Sequence, residues 1–326
     1  MNFNYRENIN KKLNLKNLNK CIDLINLNKY EFINKGLQGE IFKVQSDKCG
    51  SVVIKKKINH KEDNEKWKNN LSWLSKKLFK EYEIMKKTNY LINEFICPNY
   101  IQVYNFNSNI PLIIMEYADG DARFLFNSDV FYPNELYNSL IFQVLAGIYY
   151  LHNNVKLLHN DLNLDNVFYK KINPNIIFHY KINKKDYYLP TFGYLFMLGD
   201  YGRTDEKNIN GIISELKYFG RSILIEYLKV IFKLYKSEIN LFNEKNKTIF
   251  NLVLFKEKYD YTTFFIHNIN SFLTITENIN NKMNKYILKI ANNLLTKSSE
   301  LEIIEDFLFL LSTNNYKKSN IIDFIH

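Results

Sequence analysis

The sequence predicts an α+β chain in which a small sheet-bearing part precedes a larger, mainly helical part. Two observations carry that expectation. Short runs rich in β-branched and aromatic residues crowd the region after Tyr30, separated by Gly or by Asp-Lys-Cys-Gly. After Gly120 the apolar pattern lengthens and takes helical spacing. The expected organisation is an N-terminal extension at 1–28, a first part at 29–117 and a second at 118–326.

Each element follows from its local pattern. Leu13, Leu15, Leu18, Ile22 and Ile25 recur only loosely in the extension, as a short amphipathic helix or an ordered tail would. "YEFINKG", "EIFKVQS" and "SVVIKKK" read as strands. The charged, Asn-rich residues 57–70 read as a loop. "LSWLSKKLFKEYEIMKK" places Leu71, Leu74, Leu78, Tyr82 and Met85 at helical spacing. "YIQVYNF" and "PLIIMEYA" read as two further strands, and "NELYNSLIFQVLAGIYYLHNN" as a long apolar helix. "FHYKINKKDYYLPTFGYLFML" reads as an extended hairpin. Helical patterns follow at 214–237, 262–275, 283–298 and near 300–312.

With 326 residues, 46% of them hydrophobic, the chain can build a large core and does not have a disordered composition. The net charge of +10 is spread over scattered lysines beside asparagines, the pattern of a solvated surface. No zinc-finger spacing and no specific nucleic-acid motif is present. Cys21, Cys49 and Cys97 are few and far apart, which fits a reducing compartment and neither a disulfide scaffold nor a zinc site. The N-terminus has no apolar signal core, and the apolar run "FLFLL" is too short to cross a bilayer. An intracellular, cytoplasmic protein with no transmembrane segment is expected.

Five segments carry candidate chemistry. "NKGLQGEIFKV" holds two of only ten glycines, and such a pair lets backbone N–H groups approach phosphate oxygens. Taken alone, a tight β-hairpin is the ordinary explanation. "VVIK" closes an apolar strand on Lys55, which needs an anionic partner if its flanks are buried. Phosphates or Glu81 can supply one, and an exposed lysine in a Lys run is the plainer alternative. "LLHNDLNLDNVFYK" places His159, Asp161, Asp165 and Asn166 before an apparent strand. A carboxylate at Asp161 suits proton abstraction from a hydroxyl, and the Asn166 amide oxygen suits a hard cation. "FMLGDYGR" ends an apolar strand on Asp200, a candidate to bridge metal and phosphates. Each alone is weak. In this order they supply a phosphate cradle, a cation, metal ligands and a base, which is what phosphoryl transfer requires.

These segments resemble the eukaryotic-type protein kinases over roughly residues 30–235. "NKGLQGEIFKV" is similar to the glycine-rich loop, with Asn34 in the place of the first glycine, followed by Gly36 and Gly39. "VVIK" is similar to V-A-I-K, "HNDLNLDN" to H-R-D-L-K-x-x-N and "DYG" to D-F-G. "IIMEYADGD" resembles the linker between lobes. The resemblance implies a bilobal fold, a small lobe of antiparallel sheet plus one helix and a larger, mainly helical lobe. It implies ATP and Mg²⁺ as cofactors and a protein Ser or Thr as substrate. Asp161 would be the base. Lys55, oriented by Glu81, would pair with the phosphates, and Asn166 and Asp200 would bind Mg²⁺. Asn34, Gly36, Gly39, Ile41 and Val53 would line the nucleotide site. Met115 would be the gatekeeper, Glu116 to Ala118 the adenine-contacting backbone and Asp121 a ribose contact. His159 would pack and hydrogen-bond in the loop, and Asp165 would be a surface turn residue. Gly220 resembles the glycine of the large lobe's central helix, with Glu215 where an aspartate is usual.

Departures narrow the resemblance. Asn160 replaces the arginine that commonly grips a phosphorylated activation loop, and Asn163 replaces the lysine that steadies the γ-phosphate. Asn166 and Asp200 are 34 residues apart, Asp200 and Glu215 only 15, and no A-P-E follows. This pattern resembles haspin-like enzymes and the Ser/Thr kinases of poxviruses and other large DNA viruses. A pseudokinase scaffold and a small-molecule phosphotransferase are the competing expectations.

Overall fold

The structure is a computed structural model that describes residues 30–36, 39–46, 50–56, 71–107, 111–126, 132–234 and 321–324. The chain divides into two compact units. The first comprises Met1–Glu94, Tyr100–Asp119 and Asp200–Thr204; the second comprises Phe95–Asn99, Gly120–Gly199 and Asp205–His326. The readings for residues 1–28, the 57–70 loop and the helical patterns beyond 240 lie outside the described residues.

In the first unit, strands β1 (Glu31–Gly36), β2 (Gly39–Ser46), β3 (Gly50–Lys56), β4 (Val103–Asn107) and β5 (Leu112–Glu116) form one sheet. Its order is β1-β2-β3-β5-β4, and every pairing is antiparallel. The continuous apolar runs fall where strands are covered on both faces. Val52 and Ile54 of β3 and Ile113 and Ile114 of β5 are fully buried. Helix α1 (Leu71–Asn93) supplies the cover. It buries Leu78, Ile84, Met85, Thr88 and Leu91, a stripe at helical spacing that also contains Glu81. Asn89 ties the helix to the sheet by accepting from the Val103 N–H and donating to the Val103 carbonyl.

In the second unit, helix α2 (Asn134–Tyr150) is apolar almost all round and accordingly buried, from Leu136 to Ile148. It runs into a π-helical turn, Leu151–Val155, which ends on the left-handed Lys156. Helix α3 (Ile209–Leu234) buries Glu215, Leu216, Phe219 and Ile223 along one stripe. A short strand β6 (Gly120–Asp121) leads into a 3-10 turn, Ala122–Phe126. Strands β8 (Val167–Lys171) and β11 (Tyr194–Leu198) join β6 in a sheet ordered β11-β8-β6, and Phe168 is the register partner of Asp121.

Between them, β9 (Ile177–Ile182) and β10 (Lys185–Pro190) form the expected hairpin. Strand β10 alternates, burying Tyr187 and Leu189 while Asp186 and Tyr188 are exposed, whereas β9 is buried on both faces from Ile177 to Tyr180 and exposes only Lys181. The turn takes positive φ at Asn183 and Lys184. Strand β12 (Ile321–Phe324) pairs with β9 in parallel. A buried amide locks this region together. Asn99 donates to the Gln143 side chain and the Phe196 carbonyl, and accepts from the Tyr180 hydroxyl. At Gly147 helix α2 approaches so closely that an added Cβ would lie 3.0 Å from Leu198 and 3.4 Å from Asn99.

Candidate active site

The first unit assembles one cation and two carboxylates. Lys55 Nζ donates to Glu81 Oε1 at 2.8 Å, to Glu81 Oε2 at 3.0 Å and to Asp200 Oδ1 at 2.9 Å. Lys55 sits on the central strand β3, and Glu81 is the one carboxylate in the buried stripe of α1. Asp200 arrives from far along the chain, in the left-handed region at φ 57, and opens a 3-10 turn, Tyr201–Arg203, that packs against α1. Aspartate tolerates that conformation better than most residues. Burial by itself pushes the Lys55 pKa down. The negative charges of Glu81 and then Asp200 overcome it and hold the ammonium above its ordinary value of 10.5.

The sign of the pH dependence follows. A raised folded-state value contributes stability that is fully present below the unfolded value and lost only as pH climbs past the folded one. Unfolding or ligand-binding titrations are expected to show no Lys55 transition below pH 10.5. A lysine transition in the mildly alkaline range, abolished by Lys55→Met, would contradict this.

Gly36 and Gly39 are register partners closing the β1–β2 hairpin, and Asn34, exposed, faces Ile41 across a bulge. Ile41 is in turn the β2 partner of Lys55, and Val53 pairs with Met115. Glu116 ends β5. Its N–H donates to the Gln102 carbonyl while its carboxylate accepts from the Gln102 N–H. Ala118, two residues on, is half-buried.

The second unit holds the other candidate loop as a web of local hydrogen bonds. Between β7 (Leu157–Leu158) and β8, Asn166 Nδ2 donates to the Asp161 carbonyl at 2.8 Å. Asn163 Nδ2 reaches the same carbonyl at 3.2 Å, and its Oδ1 accepts from the Asp165 and Asn166 N–H groups. Asp161 itself is half-buried. His159 is buried and its Nε2 lies 2.9 Å from the Gly199 carbonyl. Asn160 takes a positive φ of 60, and its N–H donates to Glu215 Oε1 at 3.0 Å. The other Glu215 oxygen meets His152 Nε2 at 2.7 Å, with both side chains fully buried.

Glu215 therefore holds the loop backbone from below. Glu215→Gln keeps one acceptor but sets an amide N–H₂ against a former acceptor contact. The expected cost is about 1–3 kcal/mol, read by chemical denaturation. An unchanged midpoint would remove Glu215 as the anchor.

Taken singly, two of the sequence-predicted metal ligands carry oxygens of the type a hard cation takes. In the second unit Asn166 donates its amide nitrogen to the Asp161 carbonyl, so its amide oxygen is not used in that contact. In the first unit the Asp200 side chain is 35% exposed. Among the described residues no group of three or more His, Cys, Asp or Glu is placed to hold a metal ion.

Sequence reading missed two partners. Arg123 was not singled out, because a lone arginine two residues after Asp121 carries no signal of its own. His152 was hidden in a helix-like apolar run; a histidine at a core-facing position was the only available sign.

A five-stranded antiparallel sheet with one helix, a strand lysine paired to a helix glutamate, and an Asp–Asn loop before a strand define the class: a divergent eukaryotic-type protein kinase fold, α+β. The chain belongs to the protein kinase family, whose "Protein kinase domain" description matches residues 27–189, half of its length. It is similar to a probable serine/threonine-protein kinase 380R of Invertebrate iridescent virus 6, at 26% identity over 145 residues. That match covers 37% of this chain and 26% of the viral protein, so the chain spans about a quarter of that relative. A solved structure, of Rad53 kinase domain and SCD2, aligns with a TM-score of 0.40 at 14% identity, over 61% of this chain and 63% of that one. No helix of the described residues is long and apolar enough to cross a membrane.

Proposed function

We propose that the chain transfers a phosphoryl group from ATP, with Mg²⁺, to Ser or Thr of a protein substrate. The observation that carries this is the buried contact of Lys55 with both Glu81 and Asp200. A buried ammonium with two carboxylates is costly to assemble for stability alone, because desolvation opposes the attraction. It suits a group that must hold a cation's charge toward phosphate oxygens. Lys55 then contacts the α- and β-phosphates, with Glu81 fixing its position. Asp200 and Asn166 hold Mg²⁺, which neutralises phosphate charge when bound. Asp161 orients the substrate hydroxyl and accepts its proton. Gly36 and Gly39 bring backbone N–H groups to the phosphates; Asn34, Ile41 and Val53 line the nucleotide, Glu116 to Ala118 meet the adenine and Asp121 the ribose.

In this proposal residues 29–117 and 118–326 are the two lobes, 1–28 an extension, and the site of action is intracellular. The similarity to a viral protein described as a probable serine/threonine-protein kinase supports the Ser/Thr assignment. The decisive experiment is label transfer from γ-labelled ATP to a panel of proteins, with and without chelator, followed by phosphoamino-acid analysis. Phosphoserine or phosphothreonine that vanishes with chelator is expected. Transfer only to small alcohols, or nucleotide binding without turnover, would replace this reading.

A further inference from the structure

Lys43 has no part in the phosphoryl-transfer proposal, yet its place on the sheet sets it among residues that do. It lies on β2, two residues after Ile41. Ile41 is the register partner of Lys55, Lys43 of Val53, and Val53 of Met115. Register partners in an antiparallel sheet project to the same side, and so do residues two apart on one strand. Lys43 therefore stands on the face that carries Ile41, Val53, Lys55 and Met115.

Its ammonium reaches the chain that follows β5. Lys43 Nζ lies 4.5 Å from the centroid of the Tyr117 ring. Tyr117 is half-buried and is the middle residue of the Glu116–Ala118 segment. The start of that segment is tied down. The Glu116 N–H donates to the Gln102 carbonyl at 2.8 Å, and the Gln102 N–H donates to Glu116 Oε2 at 3.1 Å. Glu116 is also where β5 ends, so Tyr117 is the first residue beyond the ladder. Lys43 meets it there from β2. Glu31 Oε2 lies 3.8 Å from Lys43 Nζ, but its side chain is 71% exposed, a long surface pair of the kind that contributes little.

We propose that Lys43 is a positioning residue for the nucleotide: by holding the Tyr117 ring against β2, it keeps the 116–118 backbone where it meets the adenine. The inference deepens the ATP reading and rests on it.

The size of the effect follows from the contact. Its loss is expected to weaken binding by about two- to fivefold, the equivalent of the about 0.5–1 kcal/mol that a cation–π contact is worth. A segment that occupies its binding-competent position less often lowers apparent affinity by that fraction. Saturating nucleotide restores the position, so KM rises and kcat is spared. The contact is with the adenine-facing segment and not with phosphates, so adenosine and ATP should feel it alike.

The test uses the full chain, titrated with adenosine and with Mg²⁺-ATP. Lys43→Met keeps the apolar stem and removes the charge. Both ligands are expected to bind it about two- to fivefold more weakly, and KM for ATP should rise by the same factor with kcat unchanged. Amide exchange at 116–118 without nucleotide should quicken by about that factor too. Lys43→Arg and Tyr117→Phe, which keep a cation and a ring, should stay close to the unaltered protein. Tyr117→Leu should match Lys43→Met, and the double variant should be no weaker than either. Glu31→Gln should have no effect. A nucleotide-free melt identifies any variant that fails to fold, and Lys43→Gln then replaces Lys43→Met.

Unchanged affinities in Lys43→Met overturn the proposal. So does a loss for ATP without one for adenosine, which would put Lys43 on the phosphates, and so do additive losses in the double variant. If the unaltered protein binds neither ligand, the ATP reading falls and takes this role of Lys43 with it; quicker exchange in Lys43→Met would then mark a contact that serves structure only.

Discussion

Lys55→Met is expected to abolish transfer and also to destabilise the first unit. The two effects separate in a double variant. Lys55 and Glu81 side chains are 7% and 3% exposed, so removing the ammonium strands a carboxylate in the sheet–helix core. Breaking a buried pair in this way costs about 3–5 kcal/mol. Replacing both partners by apolar groups costs far less, because no charge is then left buried. Lys55→Met/Glu81→Leu is therefore expected to regain most of the denaturation midpoint lost in Lys55→Met. Transfer should remain down by about 10²–10³-fold or more in both, the scale of losing one preorganised electrostatic contact. The ATP-dependent rise in melting temperature should vanish in both as well. A double variant that recovers transfer together with stability would show that the pair serves folding only.

Asp161→Asn should behave in the opposite way. The residue is half-buried, and the shorter contacts within its loop run to its backbone carbonyl, which Asn163 and Asn166 approach, with one longer contact of 3.4 Å from Asn163 Nδ2 to Asp161 Oδ1 that an Asn oxygen at the same place can also accept. An amide of the same shape leaves those contacts in place, so stability should change by about 0.5 kcal/mol or less. The nucleotide-dependent thermal shift should persist. Transfer should fall by about 10²–10⁴-fold, the range for loss of a positioned general base. Equal label incorporation by Asp161→Asn and the unaltered protein would remove Asp161 from the mechanism. Persistent binding with no transfer from either would favour a nucleotide-binding scaffold.

Much of the architecture was legible from local pattern. The five strands of the first unit, helix α1 and helix α2 fall where apolar spacing placed them, and of the extended hairpin expected over 178–198 the structure pairs Ile177–Ile182 with Lys185–Pro190 while Tyr194–Leu198 joins β8 in another sheet. The reason is that period-2 and period-3.6 burial are written in neighbouring residues. Helix α3 begins at Ile209, earlier than the 214–237 pattern suggested; its first turn, Ile-Asn-Gly-Ile, includes a glycine and precedes the buried stripe that starts at Glu215 and Leu216. The candidate loops were legible too. Scarce glycines and acidic residues at strand ends stand out against an Asn- and Lys-rich background.

That same background hid the rest. Asn99 satisfies a buried network joining α2, β9 and β11, but among so many asparagines nothing local marks it. Asp165 looked like a turn residue and is one, yet its ion pair with Arg123 spans a long stretch of chain. His152 and Glu215 meet across a gap of 63 residues.

By itself the sequence determined the elements, the order of the candidate groups and a charge problem: a lysine and a glutamate at core-facing positions of different elements. Tertiary structure decided how the problem is solved. It selected Glu81 and Asp200 for Lys55, Glu215 for the Asn160 backbone, and Arg123 for Asp121 and Asp165. Burial periodicity is local and survives in one dimension. Ion pairing depends on which distant groups come within 3 Å or so of each other, and only the folded chain sets that distance.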